Sequence, residues 1–163
     1  MKPFSSSWRL VLALFVFVLF GGCSSFEKEW RGADRTRLHG GIPRKWEGRW
    51  TSTKHHGMGG RLRCVLTQVD ATHHRAWFRA SWLTFASDYM VTLQTRPAPG
   101  GLRLRGEHVL HGFGGGLYRY AGLIAGDRFD ATYESKYDRG QFSLQSALRD
   151  SSMPQLTTRA PIQ

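Results

Sequence analysis

The chain has 163 residues, 40% hydrophobic and 21% charged, so it can bury the core of one domain and is too apolar for a disordered protein. Nineteen glycines and an aromatic content of 13%, without a long helical repeat, favour short β-strands joined by turns. The formal net charge of +11 suits an anionic partner, either a nucleic acid or a membrane surface.

The first 22 residues have the pattern of a secretory signal. Two basic residues are followed by an uninterrupted apolar run of eleven residues and then by two small residues: Lys2 and Arg9, residues 10–20, and Gly21 and Gly22. This apolar run is too short for a typical membrane span of about 20 residues. We therefore predict that residues 1–22 are a signal peptide.

The residues at the end of this signal, LFGGC at 19–23, are similar to the lipobox of bacterial lipoproteins. In that family a diacylglycerol forms a thioether with the cysteine, and cleavage leaves this cysteine as the first residue. The resemblance implies that Cys23 is lipidated, that palmitate-type acyl chains hold the protein at a membrane, and that Cys64 has no disulfide partner. An ordinary signal peptide, with a cysteine close to the cut, is the alternative.

The predicted anchor also indicates that the protein is located in the cell envelope. The residue after the cysteine is Ser24, where many lipoproteins retained at an inner membrane have aspartate. If the cell has two membranes, we therefore expect the protein at the outer one, facing the periplasm.

The predicted export of the protein limits which anionic partner the basic charge could attract. Such a protein meets little nucleic acid and the chain has no nucleic-acid motif, so we expect no nucleic-acid partner. A lipid anchor beside a basic surface instead favours anionic lipid headgroups, and the alternative is that the charges are solvated surface. Four arginines flank inward leucines in two R-L-R stretches, and we expect all four guanidinium groups to point outward: Arg61, Arg63, Arg103 and Arg105.

The chain after the signal divides into three parts. Residues 23–44 are polar and contain glycine without clear periodicity, which predicts a lipidated N-terminus and a flexible tether. Residues 45–149 form the predicted domain, and residues 150–163, with two prolines, a loose tail. Nothing in the sequence indicates an oligomeric state.

Apolar and polar residues alternate with period two through the domain, which is typical of strands with one buried face. No segment is long enough to be a helix that crosses between parallel strands, so we expect an all-β fold of antiparallel neighbours. A closed meander barrel is favoured over a two-sheet sandwich, because closure removes exposed edges and small inward residues, such as Gly48, ease curvature. The predicted strands are 46–52, 61–67, 74–85, 88–94, 102–110, 116–124, 128–135 and 141–148.

The first predicted strand contains Gly48-Arg49-Trp50, which resembles the G-x-W signature of calycin barrels, the lipocalin and avidin group. In lipocalins this tryptophan closes the bottom of the barrel, and an arginine near the end of the last strand packs across it. The resemblance implies a barrel in which Trp50 closes the bottom and Arg149 packs against it.

The interior of the barrel is expected to decide the function. A remaining cavity would bind a small apolar ligand or a lipid, whereas a filled interior would indicate a structural or interaction lipoprotein whose outer face contacts a partner. The sequence shows no nucleophile–base pair, metal-ligating cluster or cofactor motif, so we predict a non-enzymatic protein without metal or cofactor. The candidate ligand-binding residues are large and occupy inward positions: Trp50, Phe78, Trp82 and Tyr133.

Overall fold

The computed structural model describes residues 25–34, 36–111 and 115–148. Over these residues the chain forms a helix, a short 3₁₀ turn and eight strands. In chain order they are α1 (Ser25–Gly32), the 3₁₀ turn (His39–Gly41), β1 (Lys45–Ser52), β2 (Gly59–Gln68), β3 (His73–Trp82), β4 (Phe85–Ala98), β5 (Gly101–Leu110), β6 (Gly116–Ala125), β7 (Arg128–Glu134) and β8 (Arg139–Ser146).

The eight strands form one closed barrel in which each strand pairs with its neighbours in the chain. All ladders are antiparallel, and β1 closes the barrel by pairing with β8, from Trp46 opposite Ser146 to Ser52 opposite Gly140. This confirms the all-β meander and the closed barrel, and the two-sheet sandwich is wrong. An eight-stranded antiparallel meander barrel is consistent with a calycin-like fold.

The alternation of apolar and polar residues places one face of every strand inside the barrel. The interior contains most of the buried apolar side chains, among them Trp46, Leu62, Phe78 and Phe129, all at most 1% exposed. Gly48 lets β1 approach β8 closely, because a Cβ there would lie 2.1 Å from the carbonyl oxygen of Ser143. The small inward residue predicted at this position is therefore required by the closure of the barrel.

The two ends of the barrel differ. We call the end that holds the N-terminus of β1 the covered end, because residues 36–44 lie across it and their Leu38 and Ile42 pack against the core. The opposite end carries the β1–β2, β3–β4, β5–β6 and β7–β8 connections. We call it the open end, because none of the described residues forms a covering segment there as residues 36–44 do at the covered end.

The tryptophan at the covered end is Trp46, which is fully buried and donates its indole N–H to the Pro43 carbonyl at 2.8 Å. Trp50 lies four residues further along β1 toward the open end, where it pairs with Gly60 and Phe142. The expectation that Trp50 closes the bottom is therefore wrong. Arg149, expected to pack against it, lies outside the described residues.

The predicted flexible tether over 23–44 is wrong for its described part, because α1 packs on the outer wall of the barrel. Phe26 and Trp30 of α1, with Ala33 just after it, recur at helical spacing and cover Val65 of β2. Phe26 also meets Trp77 edge to face, with ring centroids 5.7 Å apart. Three apolar residues in a polar stretch gave too short a pattern to recognise. Cys23, residues 1–22 and the predicted tail lie outside the described residues.

The strand ends also depart from prediction at β3 and β4. The predicted strand 74–85 is interrupted after Trp82, because Leu83 and Thr84 form a two-residue turn in which Leu83 has a positive φ of 51°. Beyond Trp82 the same apolar run therefore starts a new strand, at Phe85.

The ladder between β4 and β5 is shorter than either strand. It runs from Ala98 opposite Gly101 to Leu93 opposite Gly106 and ends there, so the two strands separate toward the open end. The rings of Tyr89 and His108 stack across this separation with centroids 6.3 Å apart. Aromatic side chains thus replace backbone hydrogen bonds in this part of the wall.

Candidate ligand-binding site

The interior of the barrel contains a cavity at the open end, which we call the cup. Its volume is about 180 Å³, and the packed core lies below it. The cup is lined mainly by aromatic side chains from all but one of the strands and from the β7–β8 connection: Trp50, Ala80, Ser87, Tyr89, Leu110, Tyr118, Tyr120, Tyr133, Asp138 and Phe142.

The floor of the cup is a set of packed rings. Phe78, 1% exposed, stacks on Tyr89 with ring centroids 5.3 Å apart and lies 5.6 Å from Phe142. Phe142 in turn stacks on Tyr133 at 5.2 Å. Such packing holds flat apolar surfaces in fixed positions, so the cup is preformed.

The one carboxylate in the wall is already hydrogen-bonded. Asp138 accepts from the Ser52 hydroxyl at 2.6 Å, the Tyr133 hydroxyl at 2.9 Å and the backbone N–H of Arg139 at 2.8 Å. Its oxygens therefore position Tyr133 and β8, which explains why a charged residue is tolerated beside an aromatic cavity.

Three tyrosines of the cup remain neutral. Burial raises the pKa of Tyr89, Tyr120 and Tyr133 well above the ordinary value, and the hydrogen bond to the Asp138 carboxylate raises that of Tyr133 further. The phenols are therefore hydroxyl donors at every physiological pH. The cup offers apolar walls, neutral phenols and one carboxylate that is already hydrogen-bonded, which suits an apolar ligand rather than an anion.

The structure brings two of the four predicted ligand-binding residues to the cup wall, Trp50 and Tyr133. Phe78 lies in the floor, in contact with the wall residue Tyr89. Trp82 does not line the cup: as the last residue of β3 it stands above Ala80, at the rim, and is 40% exposed. Alternation identifies inward positions, but it does not show where a strand rises beyond the cavity.

Among the residues that sequence reasoning missed are Tyr118 and Tyr120 of β6 and Asp138 of the β7–β8 connection. The two tyrosines occupy alternate positions, but apolar residues on both faces of β6 obscured that pattern. Asp138 had no such signal, because its role depends on Ser52, which is far away in the chain.

The four predicted outward arginines do not form one surface. Arg63 points away from the core but lies under α1, where it is only 16% exposed, hydrogen-bonds Glu27 and stacks over the Trp30 ring at 5.0 Å. That bond is the main reason why the pKa of Glu27 is lowered. The expectation of a free guanidinium is wrong for Arg63, since the helix above it was not predicted.

The other three arginines are exposed, on two separated strands. Arg61 of β2 pairs with Glu47 at 2.5 Å, whereas Arg103 and Arg105 lie on β5, with β3 and β4 between. Arg103 lies opposite Arg96 of β4, so like charges face each other there. The basic residues are thus distributed around the barrel.

A larger cleft of about 500 Å³ lies at the covered end, beside residues 36–44. Charged groups border it, including Arg37 and Asp127, whose side chains are 3.6 Å apart. Because it lies between a covering segment and exposed turns, it has fewer aromatic walls than the cup. The cup is therefore the better candidate for a preformed ligand-binding site.

No protein-family model, curated protein or solved structure matches the chain. Within the described ranges, no group of three histidine, cysteine, aspartate or glutamate side chains converges as a metal site would require. The helical part of those ranges contains no segment of the length and hydropathy needed to span a membrane.

Proposed function

We propose that this protein is a non-enzymatic bacterial envelope lipoprotein, anchored through Cys23, whose barrel binds a small apolar group in the cup. The observation that carries the proposal is an aromatic cavity open at one end of a barrel whose other end is covered. The signal-like residues 1–22 and the lipobox-like LFGGC supply the anchor.

The volume of the cup limits the ligand. Pockets for drug-sized molecules measure about 300–1,000 Å³, whereas an apolar cavity of about 150 Å³ accommodates benzene. A cup of about 180 Å³ therefore fits one ring or a short length of an acyl chain.

The size of that group also limits the affinity. A six-carbon group buries on the order of 150 Å² of apolar surface, which is worth about 4 kcal/mol and corresponds to a dissociation constant in roughly the millimolar range. Such weak binding becomes significant where the ligand is held at high local concentration, as acyl chains are at a membrane. A membrane lipid therefore fits the proposal better than a dilute solute does.

The proposal is tested by quenching with bromohexane, whose heavy atom quenches a tryptophan in contact with it. We expect saturable quenching in the wild type that Trp50→Phe removes and Trp82→Phe retains, because Trp50 lines the cup and Trp82 does not. Ala80→Leu adds three carbon atoms to the wall and should abolish the saturable phase. Equal quenching in wild type and Ala80→Leu would show that the cup binds nothing.

The anchor is tested separately by intact mass. The wild type should carry the mass of acyl chains, and Cys23→Ser should lose both that mass and the membrane fraction. A wild type without added mass would remove the lipoprotein part of the proposal and leave ligand binding to be judged from the quenching.

The second candidate is a structural or interaction lipoprotein whose outer face binds a partner. The small cup favours it, since large side chains fill most of the interior. Under this alternative Ala80→Leu is silent in every binding assay.

A further inference from the structure

The tip of the β3–β4 hairpin exposes three large apolar side chains at the rim of the cup. Trp82 is 40% exposed, Leu83 82% and Phe85 69%. They stand together, since Trp82 and Phe85 are paired across the turn that contains Leu83. Exposed apolar residues that cluster in this way mark a contact with a partner or a membrane.

The backbone of Leu83 strengthens this interpretation. Its positive φ of 51° is a conformation that glycine adopts freely and that a side chain disfavours. A large apolar residue is thus present where the turn itself would be better served by glycine. The side chain of Leu83 must therefore contribute something other than the stability of the hairpin.

The apolar surface continues along the outside of the same end. Val109 of β5 and Leu117 of β6 are each at least 40% exposed and are directly paired. Together with the hairpin tip they form what we call the apolar rim: Trp82, Leu83, Phe85, Val109 and Leu117.

The other side of the open end is basic. The β1–β2 connection carries Lys54, the β7–β8 connection carries Lys136, and β8 begins with Arg139. Tyr137, 51% exposed, lies between the last two. Cationic groups beside an exposed tyrosine suit the headgroup region of an anionic bilayer.

The helix α1 shows from which direction the chain reaches the barrel. Glu27, in its first turn, contacts Arg63 and Arg79, while Asp34, just after it, pairs with Lys45 at the covered end. The helix therefore runs toward the covered end and starts on the side nearer the open end.

The start of α1 lies below the apolar rim. Arg79, which Glu27 contacts, is three residues before the end of β3, or about 10 Å along the strand. Cys23 lies two residues before Ser25, a reach of at most about 7 Å. An acyl chain on Cys23 would thus hold the open end, rather than the covered end, close to the bilayer.

We infer that the open end of the barrel faces the membrane and that Trp82, Leu83 and Phe85 insert at the boundary between headgroups and acyl chains. The inference rests on the lipid anchor of the proposed function. The partner is the bilayer surface itself, with Lys54 and Lys136 beside anionic headgroups. In this orientation the mouth of the cup opens directly onto the source of acyl chains.

The test compares two exposed apolar residues at opposite ends of the barrel, Leu83 and Val69, the latter 52% exposed in the β2–β3 connection. Leu83→Cys and Val69→Cys are each labelled with an environment-sensitive fluorophore in the lipidated full chain, on vesicles of phosphatidylethanolamine and phosphatidylglycerol. Cys64, the native cysteine within the described residues, is fully buried and does not compete for the label.

We expect the label at 83 to shift to the blue and to be quenched by spin-labelled lipid, while the label at 69 reports water. The reverse pattern, a shift at both positions or a shift at neither would overturn the inference. As a check without a label, lipids brominated on their acyl chains should quench the wild type more than Trp82→Phe. Equal quenching would also contradict insertion of the tip.

A conservative variant separates membrane contact from folding. Leu83→Gly keeps the turn, because glycine suits its backbone conformation, yet it should lower the brominated-lipid quenching of Trp82 markedly. Unchanged quenching would contradict a membrane role for Leu83. Failure of the proposed function is recognised independently, from the intact mass and from bromohexane quenching in solution.

Discussion

Replacing Trp46 tests which tryptophan closes the barrel. Trp46 is fully buried, meets Phe129 edge to face at 5.7 Å and donates its indole N–H to the Pro43 carbonyl. Burial of about 200 Å² of apolar surface is worth about 5 kcal/mol, and truncations of large aromatic residues in cores cost about 3–5 kcal/mol. Because Trp46→Ala also leaves the Pro43 carbonyl unpaired, we expect a loss near the upper end, about 5 kcal/mol.

Trp50→Ala is the matched comparison, since both residues lie on the inward face of β1. Trp50 is only partly buried, borders the cup, and makes a long hydrogen bond of 3.3 Å to the Ser81 carbonyl. We expect a loss of about 1–2.5 kcal/mol. Trp46→Phe, which keeps a ring but removes the N–H group, should cost about 1–2 kcal/mol.

The measurement is urea denaturation followed by circular dichroism, with the free energy of unfolding taken from the midpoint and the slope. An equal loss for the two alanine variants, or a larger loss for Trp50→Ala, would refute the assignment of the covered end to Trp46.

Two further predictions concern a buried histidine and the outer helix. Burial lowers the pKa of His74 from its ordinary value of 6.5, so the unfolded chain binds a proton that the folded chain does not. The free energy of unfolding should therefore fall as the pH is lowered through about 6.5. His74→Gln should flatten that dependence when denaturation is measured over a series of pH values. Glu27→Gln removes the carboxylate that Arg63 and Arg79 hold against the barrel, so α1 should dock less tightly by about 1–2 kcal/mol. The expected result is faster amide exchange over residues 25–34 than in Lys28→Gln, which changes an exposed residue of the same helix. Equal exchange in the two variants would contradict that role.

The barrel could be predicted from the sequence because the features that identify it lie within single strands. Alternation along each strand identifies the buried face, and the absence of crossing helices enforces antiparallel neighbours. Gly48 is a good example, because a small residue was expected inside and the closed barrel leaves no room there for a Cβ. Such features depend on a few adjacent residues and can be read without the fold.

Much of the site depends on distances that no local pattern contains. Trp46 and Trp50 lie on the same face of β1, so the strand pattern does not show which of them is at the covered end. That distinction comes from residues 36–44, which lie across one end of the barrel. Arg63 was expected to be exposed because the helix that covers it was not predicted, and Glu27, which it hydrogen-bonds, lies 36 positions away in the chain. Trp82 was predicted to bind the ligand because the alternation of side chains does not reveal that β3 ends at this residue.

The pairing of β1 with β8 has a consequence for the order of folding. The other ladders join strands that are neighbours in the chain and can form as hairpins, whereas Trp46 must find Ser146 across about a hundred residues. Bringing ends so far apart together costs about 4 kcal/mol of chain entropy beyond a constant term if the intervening residues are unstructured. Hairpins that form first shorten the effective loop, so closure should be the last and slowest step. Until it occurs, β1 and β8 are both open edges, and the nascent barrel is most vulnerable to pairing with another chain during that interval.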